Sequence, residues 1–176
     1  MDIFEVIKKR RSIRSYSSRE IEEEKLREIL EAARLAPSAS NRQEWRFIIV
    51  KDKEKRKALC VAAKNQVFVE EAPLVIVCCA QTDNYRMSCG QLSYPIDVAI
   101  AIEHISLTAV SLGLGSCWVG AFYEDEVKKI LKIPSEVRVV ELLTVGYPKE
   151  ENYFPHNRLA LKEIVFKEKW GIPYYL

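Results

Sequence analysis

Two short stretches of this sequence carry the side chains best suited to binding a charged, planar ligand. Residues 10–14 read Arg-Arg-Ser-Ile-Arg, which places three guanidinium groups and one hydroxyl within five positions. Guanidinium groups match the oxygens of a phosphate and stay charged at any working pH. Residues 37–43 combine a proline and small side chains with the amides Asn41 and Gln43, directly ahead of an apolar run. Small side chains allow a loop to approach a flat ring, and amides can orient that ring.

Each stretch also has a simpler interpretation. The basic residues can be the solvated end of a first helix, because cations suit a helix C-terminus. A nucleic-acid arm is disfavoured, because the chain shows no sustained basic face and no base-stacking aromatic motif. If the segment is a phosphate clamp, Arg158 could close its other side. Residues 37–43 can equally be an ordinary turn between a helix and a strand.

The sequence shows no arrangement of side chains typical of a nucleophile, a general base or a metal site. His104 lies in an apolar helical pattern, where a histidine is usually a hydrogen-bonded core residue, and His156 falls in a loop. The glycines of residues 113–120 follow a helix, whereas a dinucleotide fingerprint follows a strand. Residues 119–121 either lie against a ligand or simply end a strand. If the protein is an enzyme, its chemistry therefore belongs to a bound cofactor.

The composition indicates a soluble, globular protein with one domain over residues 1–176. The chain is 48% hydrophobic and 30% charged, so it can bury a substantial core. Its net charge of +2 is too small to imply a polyanionic partner, and no run predicts a membrane span or a signal peptide. The five cysteines form no CxxC pair and lie mostly in apolar contexts. Reduced core thiols, and hence a cytoplasmic protein without a metal site, are the expectation.

The pattern of apolar residues predicts helices that interleave with a few strands. Asp2 is expected to cap a first helix, and Ser17 and Ser18 to open a second that ends near Ala36, because Pro37 follows. Further helices are predicted from Asp52 to about Lys64, over residues 96–114 and around 124–131; strands over Trp45–Val50, 74–80 and 138–145; and an extended run over 161–166. This order predicts an α+β fold with a mainly antiparallel central sheet.

Two parts of the chain predict a subunit interface. Residues 96–114 are apolar all round, which is typical of a helix that is buried on most sides. A protein of this size hardly surrounds such a helix alone, whereas a partner subunit would do so. The C-terminal tail, from about residue 150 to 176, is rich in aromatic side chains that need a surface to contact.

Taken in this order and spacing, the motifs resemble those of the FMN-dependent nitroreductase family, over nearly the whole chain. The segments that carry the resemblance are residues 10–14; Ala36-Pro37-Ser38 with Asn41 and Gln43 before Trp45; the apolar helix from Asp97; Gly-Leu-Gly-Ser-Cys-Trp at 113–118; Val-Gly-Tyr-Pro at 145–148; and Arg158. The chain departs from the family at Glu44, where the family usually has proline. Residues 83–94 follow no family pattern, so the resemblance leaves the substrate open.

The resemblance implies an interlocked homodimer with FMN bound at the subunit interface. It assigns FMN binding to Arg10, Arg11, Ser12, Arg14, Gln66, Val119, Gly120, Ala121 and Arg158, and, from the other subunit, to Pro37, Ser38, Ala39 and Asn41. It also implies a ping-pong reaction, in which NADH or NADPH gives hydride to the flavin and a nitroaromatic, quinone or related small molecule then takes the electrons. Two alternatives stay open: a specialised member, dehalogenating or flavin-fragmenting, with a non-nitro substrate, and a flavin-binding or sensor protein without useful turnover.

Overall fold

An antiparallel sheet forms the centre of the fold. The computed structural model describes residues 2–150 and 157–174, and within them the sheet has four strands. These strands are β1 (Trp45–Val50), β2 (Leu74–Gln81), β3 (Gly115–Val119) and β4 (Val137–Gly146). Their spatial order is β1-β2-β4-β3, and every neighbouring pair is antiparallel. The predicted α+β class with an antiparallel central sheet is therefore confirmed.

Helices cover both faces of this sheet. They are α1 (Ile3–Lys9), α2 (Glu23–Arg34), α3 (Lys53–Ala62), α4 (Phe68–Glu71), α5 (Ser93–Ser111), α6 (Glu124–Leu131) and α7 (Leu161–Ile164). Helices α2 and α5 pack on one face, where Ile29 and Ile102 meet Ile76 of the sheet. Helices α3, α4 and α6 pack on the other face, against the alternate residues of β2 such as Val75 and Val77. Residues 74–80 are all buried, because each face of this strand has its own core.

Several predicted elements match the structure closely. Strand β1 and helix α6 have the expected bounds. Asp52 caps α3, since its Oδ1 accepts the backbone N–H of Lys55 at 2.9 Å, and this helix ends at Ala62. The long apolar helix, α5, has the predicted 19 residues but begins at Ser93 instead of residue 96. Pro95 falls in its first turn, where a missing backbone N–H costs no intrahelical hydrogen bond.

The second helix was predicted to open at Ser17 and Ser18, and this prediction is wrong. Helix α2 begins at Glu23. The residues before it are extended: Ser12 pairs with Ser116, and the backbone N–H of Ser17 donates to the carbonyl of Tyr147 at 2.9 Å. The backbone of this segment therefore forms hydrogen bonds with distant residues, and Ser17 and Ser18 do not cap a helix.

The expected extended run over residues 161–166 is also corrected. Residues 161–164 form the short helix α7, whose first turn is held by Glu163, which accepts the backbone N–H of Ala160 at 2.8 Å. Of the predicted aromatic tail, Trp170 is 90% exposed, while Tyr153, Phe154 and Tyr175 lie outside the described residues. Across the described chain, no helix is long and apolar enough to span a bilayer.

Candidate functional site

The arginine-rich segment, residues 10–14, is fixed to the sheet through its backbone. The N–H of Ile13 donates to the carbonyl of Ser116 at the start of β3, at 2.9 Å. Gly115 makes this approach possible, because a Cβ there would lie only 2.4 Å from the side chain of Ile13. The segment is thus held without using its charged groups. Arg14 is exposed, and the partly buried Arg10 lies 3.9 Å from Glu103 of α5.

Arg11 differs from the other two arginines of the segment. Its guanidinium donates to the backbone carbonyls of Lys8 and, at 2.8 Å, of Arg10, where helix α1 ends. Cations and donors at this position satisfy carbonyl groups that have no partner inside the helix. The structure therefore gives Arg11 a contact with the helix end, in line with the simpler interpretation of the basic residues.

The end of β3 forms an open ledge beside the arginine-rich segment. Val119 is buried, whereas Gly120 and Ala121 are exposed, so the strand does end here, as one of the two interpretations expected. The side chain of Gln66 donates to the carbonyl of Ala121 at 3.2 Å. Phe68 follows Gln66 by two residues, and the guanidinium of Arg14 lies above its ring, 5.9 Å from the ring centroid. Arg14, Gln66 and residues 119–121 are therefore neighbours.

Glu141 also belongs to this region, and sequence reasoning missed it. A Cβ atom at Gly120 would lie 3.5 Å from both carboxyl oxygens of Glu141. One of these, Oε1, is buried without a hydrogen-bond partner. Burial raises the pKa of Glu141 to about 7, although a hydrogen bond with the backbone of Val119 lowers it in part. A single acid between the apolar pairs Val139-Val140 and Leu142-Leu143 of β4 was the signal available in the sequence.

The loop of residues 37–43 is held by a different kind of contact. The backbone N–H of Ala39 donates to Oδ1 of Asp97, a buried carboxylate in the first turns of α5, at 3.1 Å. Burial raises the pKa of Asp97, which the N–H of Ala39 partly offsets, and its other oxygen is buried without a partner. Within the loop, Ser38 Oγ accepts the backbone N–H of Gln43 at 3.1 Å. Ser40, Asn41 and Gln43 all have φ between 50° and 55°, a left-handed conformation that Asn tolerates best.

Glu44, the departure from the family pattern, completes the support of this loop. It is only 5% exposed and accepts the hydroxyl hydrogen of Ser93 at 3.1 Å. Arg42 reaches it at 3.4 Å and also binds Asp83 at 2.6 Å. The ring of Tyr85 lies 4.7 Å from the same guanidinium. Residues 83–94, which follow no family pattern, are thus tied to the loop, and no local signal in the sequence indicated the pairing of Arg42 with Asp83.

The predicted site residues fall into two groups within one chain. Helix α5 touches both: Asp97 contacts the loop, and Glu103 approaches Arg10. Six residues along a helix correspond to about 9 Å. The structure therefore brings residues 10–14, Gln66 and residues 119–121 together, while residues 37–43 form a second cluster farther along α5.

The remaining candidates are placed as follows. Arg158 is exposed, and its guanidinium donates to the carbonyl of Asn157 at 3.0 Å. His104 has its Nδ1 3.1 Å from the carbonyl of Ala32, as a structural histidine would, whereas His156 lies outside the described residues. A search of the described residues for three or more clustered His, Cys, Asp or Glu side chains finds no metal site.

Comparisons with known proteins agree with one another. The model of the Nitroreductase family matches residues 7–93 and 62–147. A putative NADH dehydrogenase/NAD(P)H nitroreductase of Archaeoglobus fulgidus is 35% identical over 179 residues, which cover 96% of this chain and 99% of that one. An FMN reductase of Bacillus subtilis is 30% identical over 159 residues, or 81% of this chain and 64% of that one. The structure of an FMN-dependent nitroreductase from Clostridium difficile is 34% identical, with a TM-score of 0.83 and coverage of 94% and 98%.

Proposed function

The chain belongs to the nitroreductase family, and from this premise we propose that it is an FMN-dependent NAD(P)H oxidoreductase. The observation that carries the proposal is the meeting of Arg14, Gln66 and residues 119–121 at one end of the sheet. An exposed guanidinium, an amide and an open backbone ledge are what a phosphate-bearing heterocycle requires. In the comparisons, an FMN reductase and an FMN-dependent nitroreductase are among the similar proteins, which supports the choice of cofactor.

The residues present fit FMN in charge and in shape. Arg10 and Arg14 supply cations for the single phosphate, since the segment is fixed through its backbone, Arg14 is exposed, and the contact of Arg10 with Glu103 is long, at 3.9 Å. The ledge at residues 119–121 is bare at Gly120, which suits contact with a flat ring, and Gln66 orients its outer end at Ala121. When bound, FMN accepts hydride from a nicotinamide and passes the electrons to a second substrate. The protein's part is to hold and orient the ring and to limit the access of water.

The same proposal requires a second copy of the chain. Residues 37–43 form a cluster of their own, so Pro37, Ser38, Ala39 and Asn41 would complete the site of a partner subunit. Exposed apolar side chains on α1, Ile3 (62%) and Phe4 (59%), support a homodimer, because such groups rarely face water in a row. So does the tail with Trp170, which carries Arg158 toward a phosphate in this proposal. Removal of the chain after Lys149 should therefore abolish both dimerisation and FMN retention, and sedimentation of a stable, FMN-loaded monomer would contradict the dimer.

The electron acceptor is proposed to be a nitroaromatic, a quinone or a related small molecule. The exposed ledge at Gly120 and Ala121 leaves room for a planar acceptor. A cytoplasmic location is proposed on the basis of the cysteines. All five are free thiols, and four of them are buried, which suits a reducing compartment.

The decisive experiment is to identify the chromophore of the purified protein and then to separate the two half-reactions. The protein should purify yellow and release FMN, not FAD, on denaturation. Under anaerobic conditions NADH or NADPH should bleach it, and a quinone or nitroaromatic should restore the colour afterwards. Colourless protein that takes up no added FMN overturns the proposal. A flavin that is bleached by light but by neither nicotinamide would indicate a sensor instead.

A further inference from the structure

Glu141 occupies an unusual place for a carboxylic acid. It lies within β4, opposite Cys78 of β2, where the register shifts between Cys78 and Cys79. This β-bulge disturbs the strand beside Glu141, as bulges commonly do where a side chain must be aimed. The carboxyl group does not reach an arginine or lysine; it lies next to Gly120, where a Cβ would sit 3.5 Å from each of its oxygens.

The environment of this carboxyl group is costly for the folded protein. Oε1 is removed from water and has no hydrogen-bond partner. Buried polar atoms without partners are rare in folded proteins, and each one requires a reason. The other residues of β4 near this position are apolar, and Leu142 and Leu143 on either face of the sheet are fully buried. An apolar side chain at position 141 would satisfy the core, so packing does not explain the acid.

We infer that Glu141 is a positioning residue of the flavin site. Its carboxyl group lies behind Gly120, and its charge state changes the electrostatic potential at a bound ring. The inference rests on the proposed function, because it takes residues 119–121 as the surface against which the ring lies. An ionised carboxylate at this place opposes the uptake of electrons by a nearby ring, whereas the neutral acid does not. Glu141 neither gains nor loses electrons itself. Its proton is exchanged with water through the ledge.

The other titratable and charged groups near Glu141 come from the elements that are packed against it. From the neighbouring strands it faces the thiols of Cys78 and Cys117, whose pKa values burial raises, so both stay neutral. The titratable residues of α5, with their partners, are Tyr94 (Arg138), Asp97 (Ala39), Glu103 (Arg10) and His104 (Ala32). The cations nearest to Cys117 are Arg10 and Arg14, which keep their charge at every working pH. The raised pKa of Glu141, about 7, agrees with this assignment.

The test compares the wild-type protein with Glu141→Gln, which keeps the shape of the side chain and removes its charge. The reduction potential of the FMN-loaded protein is measured against reference dyes about two pH units below and above the pKa of Glu141. At the higher pH, the variant should favour the reduced form about tenfold more than the wild type, which is about 30 mV for a two-electron couple. At the lower pH, the two proteins should agree. Glu136→Gln, an exposed acid just before β4, serves as the matched control and should change neither value.

Each outcome decides the matter. Equal potentials at both pH values, or the same offset at both, would overturn the role of Glu141 while leaving the proposed function intact. Protein that binds no FMN would overturn the proposed function, and with it this inference. If Glu141→Gln does not fold, Glu141→Leu takes its place: the potential of the wild-type protein should fall more steeply with pH above about 7 than that of the Glu141→Leu variant.

Discussion

The two clusters of candidate site residues are held in opposite ways. Residues 10–14 are fixed by backbone contacts with β3; the guanidinium of Arg11 holds the end of α1, whereas that of Arg14 is exposed. Residues 37–43 are fixed by buried carboxylates: Asp97 accepts the N–H of Ala39, and Glu44 links Ser93 to Arg42. In the first cluster the exposed side chain of Arg14 is available to a ligand. In the second cluster, side chains such as Ser38 and Arg42 form hydrogen bonds that hold the loop in shape.

This difference separates binding from stability. Substitution of Arg14 should weaken ligand binding and leave the fold unchanged, because its side chain is exposed. A substitution of the carboxylates under the loop should lower the stability of the fold first, because it leaves buried donors without acceptors. If both kinds of substitution change FMN affinity and stability to the same extent, the two clusters do not differ in this way.

The largest effect is expected for Arg14→Ala on FMN affinity. Loss of one charge-assisted phosphate contact is worth about 1.5–3 kcal/mol, or roughly a 10- to 100-fold increase in the dissociation constant. The melting temperature of the flavin-free protein should stay within about one degree, since exposed substitutions rarely change stability. Fluorescence titration of FMN into flavin-free protein measures the affinity.

Lys9→Ala is the matched control for Arg14→Ala, because Lys9 is an exposed cation at the end of α1 in the same basic cluster. It should change FMN affinity by less than about twofold, the weak effect expected of a screened surface charge. If both variants lower the affinity equally, the cluster acts as a diffuse positive field, and Arg14 is not a specific phosphate ligand.

Asp97→Ala should have the next largest effect, and on stability. It leaves the backbone N–H of Ala39 without its acceptor inside the protein, which costs about 1–3 kcal/mol of the free energy of unfolding. Urea denaturation of the flavin-free protein measures this loss. Asp97→Asn, which retains a carbonyl oxygen at the same place, should recover most of it. Unchanged stability in Asp97→Ala would mean that the loop does not depend on this carboxylate.

Much of the fold could be predicted from sequence, because local signals and tertiary contacts agree there. Trp45–Val50 forms the expected strand, and Asp52 caps the helix that follows. The prediction failed where distant backbone forms the hydrogen bonds instead: Ser12 pairs with β3, and Tyr16 and Ser17 pair with the chain just after β4, so no helix opens at Ser17 and Ser18. A local pattern contains no information on such a contact.

For the candidate site, the sequence indicated the types of residues but not the contacts that hold them. The types of residues in 10–14 and 37–43 indicated a ligand, and the resemblance to a family supplied FMN. The supports of the site were not predictable, because each joins residues far apart in the chain. Glu141 and Gly120 are separated by 21 positions, and Glu44 and Ser93 by 49, so neither pair leaves a local signal.

The smallest effect is expected for Glu124→Gln. This substitution removes the ion pair of Glu124 with Arg138, which supports neither cluster. Burial opposes the ionisation of Glu124, but hydrogen bonds from Arg138 and from the backbone of Val139 outweigh it and lower its pKa from 4.5 to about 2. A lowered pKa stabilises the fold above pH 4.5, and this contribution is lost as the pH falls toward 2. Because the side chain of Arg138 is exposed and that of Glu124 is partly exposed, the variant should lose at most about 1 kcal/mol of unfolding free energy at pH near 7, and nothing in strong acid. FMN affinity should be unchanged at both pH values; a loss of affinity here would show that stability and binding are not separate in this molecule.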